Sequence, residues 1–131
     1  MKTYALRLHP GQDLKMEVDA FAQRQALQAG IVLTCVGSLT RVSLRLANQP
    51  EATILEGHFE IVSLVGTFST DGSHLHLSVS DSNGRTLGGH LLDGSRIYTT
   101  AEIALAELEG LRCTRPVDPD TGYDELAIES L

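Results

Sequence analysis

The stretch His74-Leu75-His76-Leu77-Ser78-Val79-Ser80-Asp81-Ser82-Asn83-Gly84-Arg85-Thr86-Leu87-Gly88-Gly89-His90-Leu91 decides how this chain is read. Residues alternate on either side of Ser82-Asn83-Gly84, which predicts a β-hairpin over 74–80 and 85–91. On the first strand Leu75, Leu77 and Val79 point one way, and His74, His76, Ser78 and Ser80 the other. The turn sets the register. A two-residue Asn83-Gly84 loop pairs Ser82 with Arg85 and sets the leucine face against Thr86, Gly88 and His90. A three-residue loop pairs Asp81 with Arg85, uses Gly84 as the left-handed residue of a G1 bulge, and puts Leu87 and Leu91 on the apolar face. A slip of one residue would turn the apolar set to the wrong side, so the three-residue loop is expected.

That register has a chemical consequence. It sets His76 opposite His90, with Cβ atoms about 4.5–5.5 Å apart, and His74 on the diagonal at about 7–8 Å. Three imidazoles on one face suit zinc or another first-row divalent metal, with a fourth position open to water, a carboxylate or a substrate. Gly88-Gly89 leaves room for another group to come close. The competing reading is three solvated histidines on the polar face of a sheet. His9, before Pro10, reads as a loop residue and His58 as a surface histidine.

Outward from the hairpin, Thr3–Leu8 alternates and reads as a strand. Asp13 is a candidate N-cap for a helix carrying Leu14, Val18, Phe21 and Ala22 at helical spacing, with Gly30 as its closing residue. Residues 31–36 read as a buried strand, Gly37-Ser38 as a turn or bend, 40–47 as a half-exposed strand and Asn48-Gln49-Pro50 as a loop. Residues 57–69 are β-rich, and Asp71-Gly72 and Asp93-Gly94 mark turns. Residues 96–111 start as strand, but their Ala, Glu and Leu content favours helix. Residues 112–122, with Pro116 and Pro119, read as loop. The expected fold is α+β: one domain over 1–131 with a largely antiparallel sheet and one or two helices.

The chain has 131 residues, with 10 Lys+Arg against 17 Asp+Glu and a formal net charge of −7. Residues 102–131 hold eight of the acids and two bases, so 112–131 is expected to be an acidic, solvated C-terminal segment. This balance argues against direct nucleic-acid binding and against docking on an anionic membrane. The apolar runs are too short to span a bilayer, and no targeting segment is visible. Cys35 and Cys113 form no patterned pair and read as free thiols, which makes the cytoplasm the expected location. P-loop, GxGxxG, GxSxG and HExxH motifs are absent. Asp124 and Glu125 have no basic partner nearby in the chain, and Glu60, flanked by Phe59 and Ile61, has Arg41, Arg45 or a neighbouring subunit as candidate partners.

In this order the segments resemble the plants-and-prokaryotes-conserved (PPC) domain family over roughly Thr3 to Gly110. The resemblance is carried by Ala29-Gly30-Ile31 leading to Gly37-Ser38-Leu39, by the run from Gly57 to Phe68, by Asp71-Gly72-Ser73-His74-Leu75-His76-Leu77, by Gly88-Gly89-His90-Leu91 and by Thr99-Thr100-Ala101-Glu102-Ile103. It implies an α+β domain that forms homotrimers, in the stand-alone prokaryotic form of the domain that follows AT-hooks in plant proteins. The plant hexapeptide Gly-Arg-Phe-Glu-Ile-Leu, tied to protein interaction, corresponds here to Gly57, His58, Phe59, Glu60, Ile61 and Val62. His58 in place of Arg weakens transfer of the plant partner specificity. No Arg-Gly-Arg-Pro hook occurs, so the family's label of DNA-binding protein rests on a module this sequence lacks. In some prokaryotic members the matching histidines look like a metal site.

Two function classes follow. The first is a homotrimeric binding and assembly module with a metal site at His74, His76 and His90 and an interface along 57–62, associated with DNA only through a protein partner. The second is a zinc-dependent hydrolase or lyase at a trimer pocket, with Glu102 as candidate general base if it faces the histidines.

Overall fold

Period-two alternation builds most of the molecule. The computed structural model describes residues 1–131. Its elements are β1 (Lys2–Leu8), α1 (Leu14–Arg24), β2 (Gly30–Arg45), β3 (Ala52–Ser69), β4 (Gly72–Ser80), β5 (Thr86–Leu91), β6 (Arg96–Glu107), β7 (Leu111–Thr114) and β8 (Ala127–Ser130). The first six strands form one sheet in the order β1-β6-β2-β3-β4-β5, all neighbours antiparallel. β2 also pairs with β5 through Leu44 opposite Leu91 and Arg45 opposite His90, so the sheet closes on itself. The fold is α+β with a single helix, as expected in class.

The helix starts where its cap predicts. Asp13 Oδ1 accepts the Met16 N–H at 3.0 Å, and Oδ2 accepts the Gly94 N–H at 2.6 Å. The cap thus also ties the helix to the turn before β6. Leu14, Val18, Phe21 and Ala22 are buried, and α1 packs against β3, β4 and β6. Gly30 does not close the helix. The chain leaves at Gln25, and Ala26 takes the left-handed conformation at φ 52°. Gly30 instead opens β2, where a Cβ would lie 2.3 Å from the ring of the buried Phe68.

Four further expectations are corrected. Gly37-Ser38 lies within β2, whose pairing with β6 shifts register there without turning. The strand over 31–36 is not buried on both faces. Cys35 is inside, while Leu33 and Val36 are about half exposed, and Val62 and Val65 of adjacent β3 are equally so. Residues 96–107 are strand, not helix. β6 lies between β1 and β2, and every second side chain from Ala101 to Leu105 enters the core, so tertiary pairing overrides the local preference. The acidic C-terminal segment is folded: β7 pairs with β8, the Cys113 N–H donates to the Gln28 carbonyl at 2.9 Å, and Ser69 Oγ donates to the Cys113 carbonyl at 2.9 Å. No helix is long and apolar enough to cross a membrane.

Candidate metal centre

The turn of the β4–β5 hairpin carries three residues. The Asp81 N–H donates to the Arg85 carbonyl and the Gly84 N–H to the Asp81 carbonyl, both at 2.9 Å, with Gly84 at φ 77°. Asp81 Oδ1 also accepts the N–H groups of Asn83 and Arg85 at 2.9 Å, which locks the loop. Ser80 then pairs with Thr86, Val79 with Leu87 and His76 with His90, while Leu75, Leu77, Val79 and Leu91 are buried. The register expected from the apolar face is the one observed.

The opposite face therefore gathers the histidines. Ring centroids are 4.9 Å apart for His74–His76 and His74–His90, and 5.7 Å for His76–His90. One nitrogen from each ring lies within 4.8 Å of the other two. Nε2 of His74 and Nε2 of His76 are 3.1 Å apart, so one donates to the lone pair of the other. Two nitrogens bound tetrahedrally at about 2.0–2.1 Å from zinc sit about 3.3 Å apart. The pair already has nearly that spacing, and the three-imidazole donor set fits a first-row divalent ion. His74 and His76 are exposed and His90 partly buried, which leaves an approach from solvent.

The electrostatics favour neutral rings at His74 and His90. Burial holds His74 below the usual histidine range, and His76 and Arg115 push the same way against Glu125. Burial and then Arg45 push His90 down to about 4. A neutral ring keeps the lone pair that ligation requires.

Arg45 reaches the site because β2 comes up against β5. Gly89 permits that approach, since a Cβ there would lie 2.7 Å from the Arg45 carbonyl oxygen. Arg115 arrives from the end of β7. Its N–H donates to Asp71 Oδ2 and its guanidinium to Thr67 Oγ1, both at 2.7 Å. A cavity of about 610 Å³ joins Arg45, His74, His90, Arg115, Asp124 and Glu125. A second, of about 260 Å³, lies between Val65, Thr67, His74 and His76.

The other sequence candidates fall elsewhere. Glu102 is exposed on β6, opposite Arg7 and Val36, and lines neither cavity, so it does not reach the histidines. Asp124 and Glu125 do border them, although along the chain they have no base beside them. Within Gly57–Val62, Phe59 and Ile61 pack into the core, while His58, Glu60 and Val62 point out. His58 stacks edge-on against Tyr98 at 5.1 Å. Arg41 pairs with Glu56 at 3.1 Å and not with Glu60. Cys35 and Cys113 are buried free thiols.

The chain is similar to the bifunctional protein GlmU of a Synechococcus strain, at 54% identity over 131 residues, which is 100% of this chain and 21% of that protein. It is 32% identical over 97 residues to AT-hook motif nuclear-localized protein 4 of Arabidopsis thaliana, covering 67% of this chain and 23% of that one. The chain thus spans about a fifth of the length of these curated relatives. A solved hypothetical protein from Salmonella enterica superposes with a TM-score of 0.96 at 46% identity, over 98% of this chain and 94% of that one. The metal-containing protein of Archaeoglobus fulgidus has a TM-score of 0.84 at 24% identity, over 97% and 94%, a likeness of fold. The model of the Plants and Prokaryotes Conserved (PCC) domain matches residues 1–109, leaving Arg115, Asp124 and Glu125 beyond the match. By that match the chain belongs to the plants-and-prokaryotes-conserved domain family.

Proposed function

We propose that the chain is a metal-binding assembly module that holds zinc, or another first-row divalent ion, through His74, His76 and His90. The observation that carries this is the convergence of three imidazole nitrogens within 4.8 Å on one sheet face. The donors come from two adjacent strands whose register is locked by a turn, so little ordering is left to do when an ion arrives. A zinc ion held by His74, His76 and His90 would supply Lewis acidity and would lower the pKa of a bound water to about 7.

The module assembles with copies of itself, as a homotrimer, along the outer face of β2 and β3. Leu33, Val36, Val62 and Val65 are 48%, 58%, 54% and 55% exposed there, an apolar stripe that favours burial. Val65 stands opposite His76 in the β3–β4 pairing, so the stripe and the metal site share one face. The net charge of −7 supports reaching DNA only through a protein partner.

A second reading, a zinc-dependent hydrolase or lyase, is favoured by one observation: the histidines open onto a cavity of about 610 Å³ bordered by the carboxylates of Asp124 and Glu125. Glu125, which lines the same cavity as His74 and His90, replaces Glu102 as the candidate base.

Elemental analysis of untagged protein, purified without chelator, tests the metal. About one ion per chain in wild type and none in His76→Ala is expected. Folded wild type that takes up no zinc refutes the site. Light scattering of wild type and of Val36→Glu/Val62→Glu tests assembly, with a trimer that dissociates in the variant as the expected result. Chelation that abolishes a hydrolytic or lyase turnover without unfolding the protein would favour the enzyme.

A further inference from the structure

The larger cavity is more than an entrance to the histidines. Arg45 enters it from the end of β2 and Arg115 from the end of β7. Neither guanidinium is paired with a carboxylate: the ion pairs of the chain are Met1–Glu109, Lys15–Asp19, Lys15–Asp93 and Arg41–Glu56. Lys15, also at the cavity, is engaged with Asp19 at 2.7 Å. The cavity is lined by three bases (Lys15, Arg45, Arg115) and three acids (Asp71, Asp124, Glu125), so it is less negative than a chain with 17 acids and 10 bases. Arg115 is held in place through Thr67 and Asp71, so one of the two is oriented before any ligand arrives.

We propose that this cavity binds a small oxyanion, a carboxylate or phosphate group held by Arg45 and Arg115 beside the three histidines. The inference rests on the metal-site reading, because a divalent ion there adds positive charge and an open position at the same spot. A guanidinium presents a planar fork of N–H donors that matches both kinds of oxyanion, and charge-assisted bonds of this type are about twice as strong as neutral ones. Asp124 and Glu125 at the same cavity oppose a second negative charge, so the ligand is a monoanion or a molecule with a single anionic end. At about 610 Å³ the space is in the range of small-molecule sites.

Calorimetric titration of the zinc-loaded protein with acetate and with dimethyl phosphate, both monoanions, tests this. Saturable binding of at least one is expected, weakened about tenfold or more in Arg45→Gln and in Arg115→Gln with zinc content unchanged. Acetate alone identifies a carboxylate ligand, dimethyl phosphate alone a phosphate ester. Arg45 is exposed, so Arg45→Gln keeps the fold, and thermal unfolding of both variants checks it. If neither anion binds, or if both variants bind like wild type, the oxyanion site is wrong while the metal site stands. If the protein takes up no zinc, the metal reading fails, and the same titration of metal-free protein decides this one. Arginine-dependent binding upholds it and absence of binding overturns it.

Discussion

Gly89→Ala should damage the fold and the histidine cluster together. The added Cβ would lie 2.7 Å from the Arg45 carbonyl oxygen and 3.3 Å from its carbon, so β2 and β5 must separate by several tenths of an ångström. That seam consists of Leu44 opposite Leu91 and Arg45 opposite His90, extended by the Leu92 N–H donating to the Ser43 carbonyl at 3.1 Å. Loosening one or two backbone hydrogen bonds costs about 1–3 kcal/mol in total. Alanine restricts the unfolded chain relative to glycine and returns about 0.4–1 kcal/mol. The net loss is about 0–2.6 kcal/mol, centred near 1.3 kcal/mol. β5 carries His90, whereas β4 carries His74 and His76, so the strain moves one ligand against the other two. Urea unfolding of metal-free protein reads the first effect, and competition for zinc against a chromogenic chelator reads the second. A variant as stable as wild type, with unchanged zinc affinity, would refute the argument that this glycine exists to let β2 approach.

Asp13→Ala removes acceptors from the Met16 and Gly94 N–H groups at once, one at the helix start and one at a turn. A loss of about 1–3 kcal/mol is expected by chemical denaturation, against about 1 kcal/mol for an ordinary cap. Cys35 should resist thiol reagents in native protein at pH 8, because burial raises its pKa to about 12 and the thiolate is the reactive form. A raised pKa means the thiol stays protonated through the whole neutral range, so labelling should appear only on unfolding; fast labelling of the native state would contradict the burial.

The hairpin was legible because two independent constraints, the apolar alternation and the three-residue turn, agree on one register. Once that register is set, His74, His76 and His90 converge without further information. The helix was legible through Asp13 and the spacing of Leu14, Val18, Phe21 and Ala22. β6 was not, since Ala101–Glu107 is composed of good helix formers and becomes a strand only between β1 and β2. Gly30 misled for a similar reason: its contact is with Phe68, 38 positions away in the chain. The charged half of the site was hidden in the same way. Arg45 is brought in by the β2–β5 closure, and Arg115, Asp124 and Glu125 by the fold of a segment whose acidity alone reads as solvated. The one available hint was that segment's pair of arginines, Arg112 and Arg115, among so many acids.

The pinning of the C-terminal hairpin gives the molecule a division of labour. The groups suited to an ion are encoded within 17 consecutive residues, His74 to His90, and stand or fall with one turn. The charged groups beside them come from both parts of the chain: Lys15, Arg45 and Asp71 from the body, and Arg115, Asp124 and Glu125 from a segment fastened to it by Gln28, Ser69 and Asp71. Replacing the segment after residue 110 would therefore change Arg115, Asp124 and Glu125 at the cavity while leaving His74, His76 and His90 in their hairpin, so the two halves of the site can be varied separately.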